Sequence, residues 1–120
     1  MKCLLVEDDP VLSRMLFRVM CQMGHDVAVA ETLCRARQAL DGQPFDTLLC
    51  DYALPDGTAF DLCDAAFCLD PVPRIVVMTG SLTFPASAAV VQAMGVAQVL
   101  PKPFDRRDLA DALGPAHRAA

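Results

Sequence analysis

The sequence predicts an α/β fold with a doubly wound, parallel sheet, and three observations lead to this prediction. Short apolar segments alternate along the chain with longer segments whose apolar residues recur at helical spacing. The short segments are apolar throughout, as are strands that are buried on both faces of a parallel sheet. Four of them end in polar residues, which places functional groups at the carboxyl edge of the sheet, where ligands bind in such folds.

The size and composition of the chain are those of one ordered domain, residues 1–120. The chain has 120 residues, of which 54% are hydrophobic and 21% charged, and its net charge is -5. This negative charge argues against nucleic acid as a direct ligand. The N-terminal apolar run is too short for a signal peptide, and no stretch approaches the roughly 20 apolar residues of a membrane-spanning helix. A cytoplasmic protein without a membrane partner is therefore expected.

The six cysteines are predicted to be reduced and to fill the core as small hydrophobic residues. None of them belongs to a CxxC pair of the kind that binds zinc. Two lie in predicted strands and four in predicted helices, namely Cys3 and Cys50 in strands and Cys21, Cys34, Cys63 and Cys68 in helices. Positions of this kind favour buried thiols over a disulfide framework.

The first half of the chain predicts two strand and helix pairs that lead into a central strand. Asp9 and Pro10 suit the N-cap and first position of a helix, and Gly24 suits its end. Residues Asp41 to Pro44 predict a turn. The predicted elements are a strand at Lys2 to Val6, a helix from Pro10, a strand at Val27 to Ala30, a helix from about Thr32 to Leu40 and a strand at Thr47 to Asp51.

The second half predicts three helices and two further strands. Thr58 and Asp105 suit helix N-caps. One of the helices, Ala86 to Met94, has almost no polar face, which fits either an interface or a well-packed Ala-rich helix. The predicted elements are a helix from Thr58 to about Leu69, a strand at Arg74 to Thr79, the helix at Ala86 to Met94, a strand at Gln98 to Leu100 and a helix through Leu113. The hydrophobic pattern does not determine the strand order.

Acidic residues follow two of the predicted strands. Glu7 and Asp8 come directly after the first strand, and Asp51 ends the central strand. Carboxylates this close repel one another unless a cation neutralises them, and a cluster of oxygen ligands suits Mg²⁺. The alternative is that Glu7 and Asp9 only cap the first helix. We assign capping to Asp9 and metal binding to Asp8.

A hydroxyl and an ammonium group are expected at the same edge. Thr79 ends the fourth strand and is followed by Gly80, while Lys102 follows the fifth strand. Together with a cation these groups would stabilise a transferring phosphoryl group, with Asp51 as the attacking carboxylate. The product would be an aspartyl phosphate. Taken by itself, Lys102 is equally consistent with a structural ion pair.

These motifs, in this order, resemble the receiver domain of two-component response regulators, most closely the single-domain receivers of chemotaxis. The resemblance covers essentially the whole chain. It is carried by Val6 to Asp9, by Asp51 with Pro55 four residues later, by Thr79 and Gly80, and by Lys102 to Phe104. It implies a flavodoxin-like (βα)5 sandwich with a five-stranded parallel sheet in the order 2-1-3-4-5.

The resemblance also implies the roles of the site residues. Asp51 would accept phosphoryl from a histidine kinase or a histidine phosphotransfer protein, and Thr79 and Lys102 would contact the phosphoryl group. Asp8, Asp51 and the Ala53 backbone carbonyl would bind Mg²⁺, with Glu7 assisting. The protein would be a phosphoprotein switch of signal transduction and not an enzyme. The bond between Lys102 and Pro103 would be cis.

A receiver would signal to a downstream protein, or form a homodimer, through the face of its fourth helix, fifth strand and fifth helix. Val99 stands on that face where the family usually has Tyr or Phe, so the usual aromatic relay is missing. Within the family, a phosphate sink and a receiver fragment of a hybrid kinase are alternatives. A Mg²⁺-dependent aspartyl phosphohydrolase is disfavoured, because Ala53 stands where such enzymes have a second acid. A pseudo-receiver that is never phosphorylated is disfavoured by the complete set of site residues.

Overall fold

The computed structural model describes residues 1–80, 93 and 95–114, and these form strands and helices in alternation. The strands are β1 Lys2–Val6, β2 Asp26–Ala30, β3 Thr47–Asp51, β4 Ala53–Leu54, β5 Gly57–Thr58, β6 Arg74–Thr79 and β7 Gln98–Pro101. The helices are α1 Pro10–Gln22, α2 Leu33–Gly42, α3 Ala59–Phe67 and a C-terminal helix, Arg106–Leu113. Of the helix predicted at Ala86 to Met94, all but Ala93 lies outside the described residues.

Five of the strands form one parallel sheet in the order β2-β1-β3-β6-β7. The other two, β4 and β5, form a separate antiparallel hairpin between β3 and α3. With the hairpin omitted, the sheet order is 2-1-3-4-5, which confirms the order that the resemblance implies. The strand β3 is central, so Asp51 at its end lies between the ends of β1 and β6.

The core lies in two layers, one on each face of the sheet, because alternate residues of a strand point to opposite faces. Leu4 and Leu48 face α2 and α3, whereas Leu5 and Leu49 face α1 and the C-terminal helix. This two-sided burial explains why the strand segments are apolar throughout. No helix in the described part of the chain is long and apolar enough to cross a membrane.

The helix starts agree with the predicted caps, but one predicted turn is wrong. The Asp9 carboxylate accepts hydrogen bonds from the backbone N–H groups of Val11 at 2.9 Å and Leu12 at 3.4 Å. The helix α2 continues through Asp41 and Gly42, where the sequence predicts a turn. Helical hydrogen bonding reaches one residue further, since the N–H of Gln43 donates to the carbonyl of Ala39.

The prediction that all six cysteines are buried is correct for only half of them. Cys3, Cys50 and Cys63 are buried, whereas Cys21, Cys34 and Cys68 are exposed, and all are free thiols. Short helices on a sheet bury only one face, and the three exposed cysteines lie outside that face. Burial raises the pKa of the Cys3 and Cys63 thiols to about 11, and it raises the pKa of Cys50 as well.

This division predicts how the native protein reacts with a thiol reagent. Three thiols, those of Cys21, Cys34 and Cys68, should react rapidly with a chromogenic disulfide at pH 8. The other three should react only on unfolding, because their sulfur atoms are buried and hold their protons. Absorbance after mixing, with and without denaturant, measures both numbers. Rapid reaction of all six thiols in native buffer would contradict this packing.

Candidate phosphoryl-acceptor site

The predicted acids meet at the carboxyl edge of the sheet. The strands β1 and β3 are parallel neighbours with Val6 opposite Cys50, so Glu7 and Asp51 occupy the next position of each strand. Glu7, Asp8 and Asp51 each present one oxygen, and the three oxygens lie within 4.8 Å of one another. Glu7 is buried, Asp51 is half-buried and Asp8 is exposed. The cluster therefore opens to solvent on the Asp8 side.

The side chain of Lys102 joins two of these acids. Its Nζ lies 3.3 Å from Oε2 of Glu7 and 3.3 Å from Oδ1 of Asp51. Lys102 follows the edge strand β7, and its side chain passes the end of β6 to reach β1 and β3. The Lys102 N–H donates to the carbonyl oxygen of Thr79 at 2.8 Å. This bond holds the start of the lysine side chain against the end of β6. The bond between Lys102 and Pro103 is cis, as the resemblance implies.

Thr79 and Gly80 lie at the end of β6, the strand between β3 and the edge strand β7. Thr79 is buried at the end of β6, one position beyond Met78, which is the register partner of Asp51. At Gly80 an added Cβ would meet nothing closer than the Cβ of Lys102, at 3.9 Å. The space beside Asp51 is therefore bordered by a hydroxyl-bearing residue and an open glycine. The four strand ends bring together the residues that the sequence predicts there.

The segment after Asp51 turns at once into the β4 and β5 hairpin. The N–H of Tyr52 donates to the carbonyl of Met78, and the carbonyl of Tyr52 accepts from the N–H of Ala59, both at 2.8 Å. These bonds hold the start of the hairpin to β6 and to α3. Ala53 is the first residue of β4, it pairs with Thr58, and its small side chain is exposed.

One residue at this edge was missed by the sequence reasoning. The position of Asp56 between Pro55 and Gly57 indicates only a turn, but its carboxylate accepts hydrogen bonds from the N–H groups of Leu33 at 2.9 Å and Cys34 at 3.0 Å. These N–H groups belong to the first turn of α2, more than twenty residues away in sequence. They stabilise the charged carboxylate and lower the pKa of Asp56. A contact across such a separation leaves no local sequence signal.

The electrostatics of the cluster are dominated by Glu7. Its side chain is only 2% exposed. Burial and the neighbouring charge of Asp51 raise the pKa of Glu7, and the attraction of Lys102 offsets part of that rise. Two unit negative charges at the spacing of these oxygens repel by roughly 3 kcal/mol at an effective dielectric constant near 20. One lysine thus balances only part of the charge of three carboxylates.

The donor set fits a hard divalent cation. All three side chains offer carboxylate oxygens, which Mg²⁺ prefers, and softer sulfur or imidazole ligands are not part of the cluster. The exposed Asp8 leaves room for the water molecules that Mg²⁺ usually retains. The residues present are therefore suited to such an ion.

Fold and site together define a class: a doubly wound, flavodoxin-like α/β protein with an acidic, cation-compatible cluster and a lysine at the carboxyl edge of its sheet. A family model described as the response regulator receiver domain matches residues 3–114. The chain belongs to this family of two-component signalling proteins.

Two relatives are similar in sequence to most of this chain. The chain is 32% identical over 110 residues to the photosynthetic apparatus regulatory protein RegA of Rhodobacter capsulatus, covering 92% of this chain and 59% of RegA. It thus spans about three fifths of the length of that relative. It is 32% identical over 108 residues to the response regulator receiver protein CpdR of Brucella abortus, covering 90% of this chain and 89% of CpdR.

A solved structure supports the assignment of the fold. The chain superimposes with a TM-score of 0.79 on the receiver domain of sensor histidine kinase PA1611 from Pseudomonas aeruginosa PAO1. The two are 23% identical, and the match covers 93% of each chain. That receiver domain has a magnesium ion coordinated in its active site cleft.

The raised pKa of Glu7 predicts a gain in stability on substitution. The folded protein binds the Glu7 proton more tightly than the unfolded chain does. This carboxyl therefore destabilises the fold above its folded pKa, and the destabilisation disappears as the pH falls through that pKa. In metal-free buffer at pH 7, Glu7→Gln should raise the melting temperature, and the difference from the wild type should shrink on acidification.

The matched control is Glu31→Gln, because Glu31 is exposed and lies outside the cluster. It should leave the melting temperature and its pH dependence close to those of the wild type. Thermal unfolding followed by circular dichroism between pH 5 and 8 measures both. A Glu7→Gln variant that melts below the wild type at every pH would refute the predicted destabilisation.

Proposed function

We propose that this chain is a phosphorylatable switch in which Asp51 accepts a phosphoryl group from a phosphohistidine. The observation that carries the proposal is the position of the Lys102 ammonium, 3.3 Å from oxygens of both Asp51 and Glu7. An ammonium beside an accessible carboxylate can bind the negative oxygens of an incoming phosphoryl group. A histidine kinase or a histidine phosphotransfer protein would be the donor.

The transfer itself requires little from the protein beyond placement and charge. An oxygen of the Asp51 carboxylate forms a bond to phosphorus, the bond between phosphorus and the donor histidine nitrogen breaks, and that nitrogen keeps the electron pair. Lys102 then exchanges part of its contact with Asp51 for contact with a phosphoryl oxygen. Thr79, at the end of the neighbouring strand, would donate its hydroxyl hydrogen to a second phosphoryl oxygen.

Magnesium is the cofactor that the site would hold. Glu7, Asp8, Asp51 and the backbone carbonyl of Ala53 are its proposed ligands, with Glu7 assisting. The fit of the three carboxylates supports this assignment, as does the magnesium ion in the related receiver domain of PA1611. When bound, the ion supplies positive charge that neutralises the carboxylates and the phosphoryl oxygens.

The surface beside Lys102 suits a protein donor. A depression of about 340 Å³ lies next to the lysine, lined by Leu12, Met15, Lys102, Pro103 and Phe104. Two apolar side chains of the neighbouring α1 are open to solvent, Val11 at 75% and Met15 at 57% exposed. Apolar side chains this exposed on a small protein are typical of an interaction surface. A donor that docks there would bring its phosphohistidine to the edge where Asp51 lies.

The proposed output surface consists of the edge strand β7 and the C-terminal helix. A groove lined by Val99, Asp108 and Asp111, among others, separates β7 from the C-terminal helix. Val99 packs against the core from a half-buried position, so the ring movement usual in this family has no counterpart at this residue. A downstream protein or a second copy of the chain would bind this face. A phosphate sink and a receiver within a longer hybrid protein are the alternatives.

An aspartyl phosphohydrolase is the competing function from another class. Such an enzyme needs an acid to activate water for the second step. The residue two positions after Asp51 is Ala53, which offers no carboxylate. Release of phosphate from a generic phosphomonoester, at many turnovers per protein, would favour the enzyme over the switch.

The acceptor assignment predicts a specific pattern of labelling. With acetyl phosphate and Mg²⁺, the wild type should gain the mass of one phosphoryl group, and Asp51→Asn should gain none. Lys102→Ala should be labelled more slowly, on the order of 100-fold, because one preorganised cationic contact is lost. Mass spectrometry of the intact protein measures both. Full labelling of Asp51→Asn would move the acceptor to another residue.

If a phosphohistidine protein docks on this surface, a substitution there should slow transfer from the protein donor but not from a small-molecule donor. Met15→Glu should slow transfer from a phosphohistidine protein that labels the wild type, because it places a charge in an apolar contact. It should leave labelling by acetyl phosphate unchanged. Val72→Glu, at a residue that is 47% exposed near the opposite edge of the sheet, is the matched control and should change neither. Equal slowing with both donors would exclude a docking role for Met15.

A further inference from the structure

A carboxylate in the hairpin after Asp51 reaches across to the start of α2. Oδ1 of Asp56 accepts the N–H of Leu33 at 2.9 Å, and Oδ2 accepts the N–H of Cys34 at 3.0 Å. The first N–H groups of a helix have no partner within the helix, so each of these bonds satisfies a group that would otherwise need water. Both oxygens of one side chain are thus committed to one neighbouring helix.

The helix α2 also has a cap of its own. The hydroxyl of Thr32 accepts the N–H of Arg35 at 3.1 Å from the usual N-cap position. Asp56 therefore adds a long-range contact to a helix start that is already capped locally. The main effect of these bonds is therefore to hold the hairpin, which has only two paired residues in each strand.

The backbone of Gly57, next to Asp56, also lies close to α2. Gly57 has a φ of 149°, and a Cβ added there would lie 2.7 Å from Cδ1 of Leu33 and 2.5 Å from Oδ2 of Asp61. The backbone next to Asp56 is thus pressed between α2 and α3, where only glycine fits. The bonds of Asp56 thus hold the tip of the hairpin against α2, whereas the bonds of Tyr52 hold its start to β6 and α3.

We propose that Asp56 is a positioning residue, which fixes the hairpin on α2 and thereby holds the Ala53 carbonyl and the Asp51 carboxylate in their cation-binding arrangement. The inference rests on the proposed function, because it assigns a task to the same site. Ala53 begins the hairpin and lies two residues after Asp51. A hairpin of this length has few bonds of its own, so its path is set by the bonds of Tyr52 at its start and by those of Asp56 at its tip.

The experiment compares three variants of the full chain. Asp56→Ala removes both hydrogen bonds, Asp56→Asn removes the charge but keeps one acceptor oxygen, and Thr32→Ala removes the local cap of α2 without touching the hairpin. The single tyrosine of the chain, Tyr52, lies next to Asp51, and the chain has no tryptophan, so tyrosine fluorescence reports Mg²⁺ binding at the site. Hydrogen exchange of the amides in residues 53–58, in metal-free buffer, reports the hairpin itself.

We expect Asp56→Ala to bind Mg²⁺ roughly tenfold more weakly, as is usual when a group that supports a metal ligand is lost. Its hairpin amides should exchange faster than those of the wild type. Asp56→Asn, which keeps one of the two acceptor oxygens, should bind Mg²⁺ with an affinity between those of Asp56→Ala and the wild type. Thr32→Ala should lower the melting temperature while leaving the Mg²⁺ affinity and the exchange of the hairpin amides unchanged.

The outcomes separate this inference from the proposed function. If the wild type is phosphorylated by acetyl phosphate and Asp56→Ala matches it in Mg²⁺ affinity and hairpin exchange, only the positioning role is refuted. If Thr32→Ala binds Mg²⁺ as weakly as Asp56→Ala does, a frayed α2 accounts for the effect, and the role is again refuted. A wild type that takes up no phosphoryl group would overturn both proposals.

Discussion

The contact of one ammonium group with two carboxylates is the interaction on which this site depends. Glu7 is almost fully buried beside Asp51, and two such charges would repel strongly without a cation between them. Lys102 provides that cation from the far edge of the sheet. The contact is made only if β1, β3 and β7 all end at the carboxyl edge of the sheet, with β6 alone between β3 and β7. The parallel sheet and its order are thus preconditions of the chemistry.

The same contact leaves the site incompletely neutralised, and this imbalance suits the proposed function. A single lysine opposes three carboxylates, one of which is open to solvent. A divalent cation would relieve the remaining repulsion, and a phosphoryl group, which is itself negative, would need both cations beside it. A site whose charges were already balanced would gain little stability from a divalent cation or from a phosphoryl group. The unbalanced charge of the cluster therefore lowers the stability of the fold, and the same charge would favour the binding of a divalent cation.

The residues that the structure brings together where the sequence predicts them share one property: each lies at the end of a strand of the parallel sheet or directly after it. Glu7, Asp51, Thr79 and Lys102 follow apolar runs, and parallel strands bring such positions to a common edge. The wrong or incomplete predictions concern residues that lie away from the strand ends of the parallel sheet. Cys34 was predicted to be buried, and the residues around Asp56 indicate only a turn, because local patterning does not report which neighbouring element packs against a loop or a helix end. The bond from Asp56 to α2 joins segments that only folding brings together.

By itself the sequence determined the alternation of strands and helices, the apolar faces and the chemical groups at the strand ends, because these depend on residue type and on periods of two and 3.6 residues. The tertiary structure decided the strand order, the reach of Lys102 to both acids and the attachment of the hairpin to α2. Such contacts depend on distances between segments remote in sequence, which arise only when the sheet and its helices pack as one body.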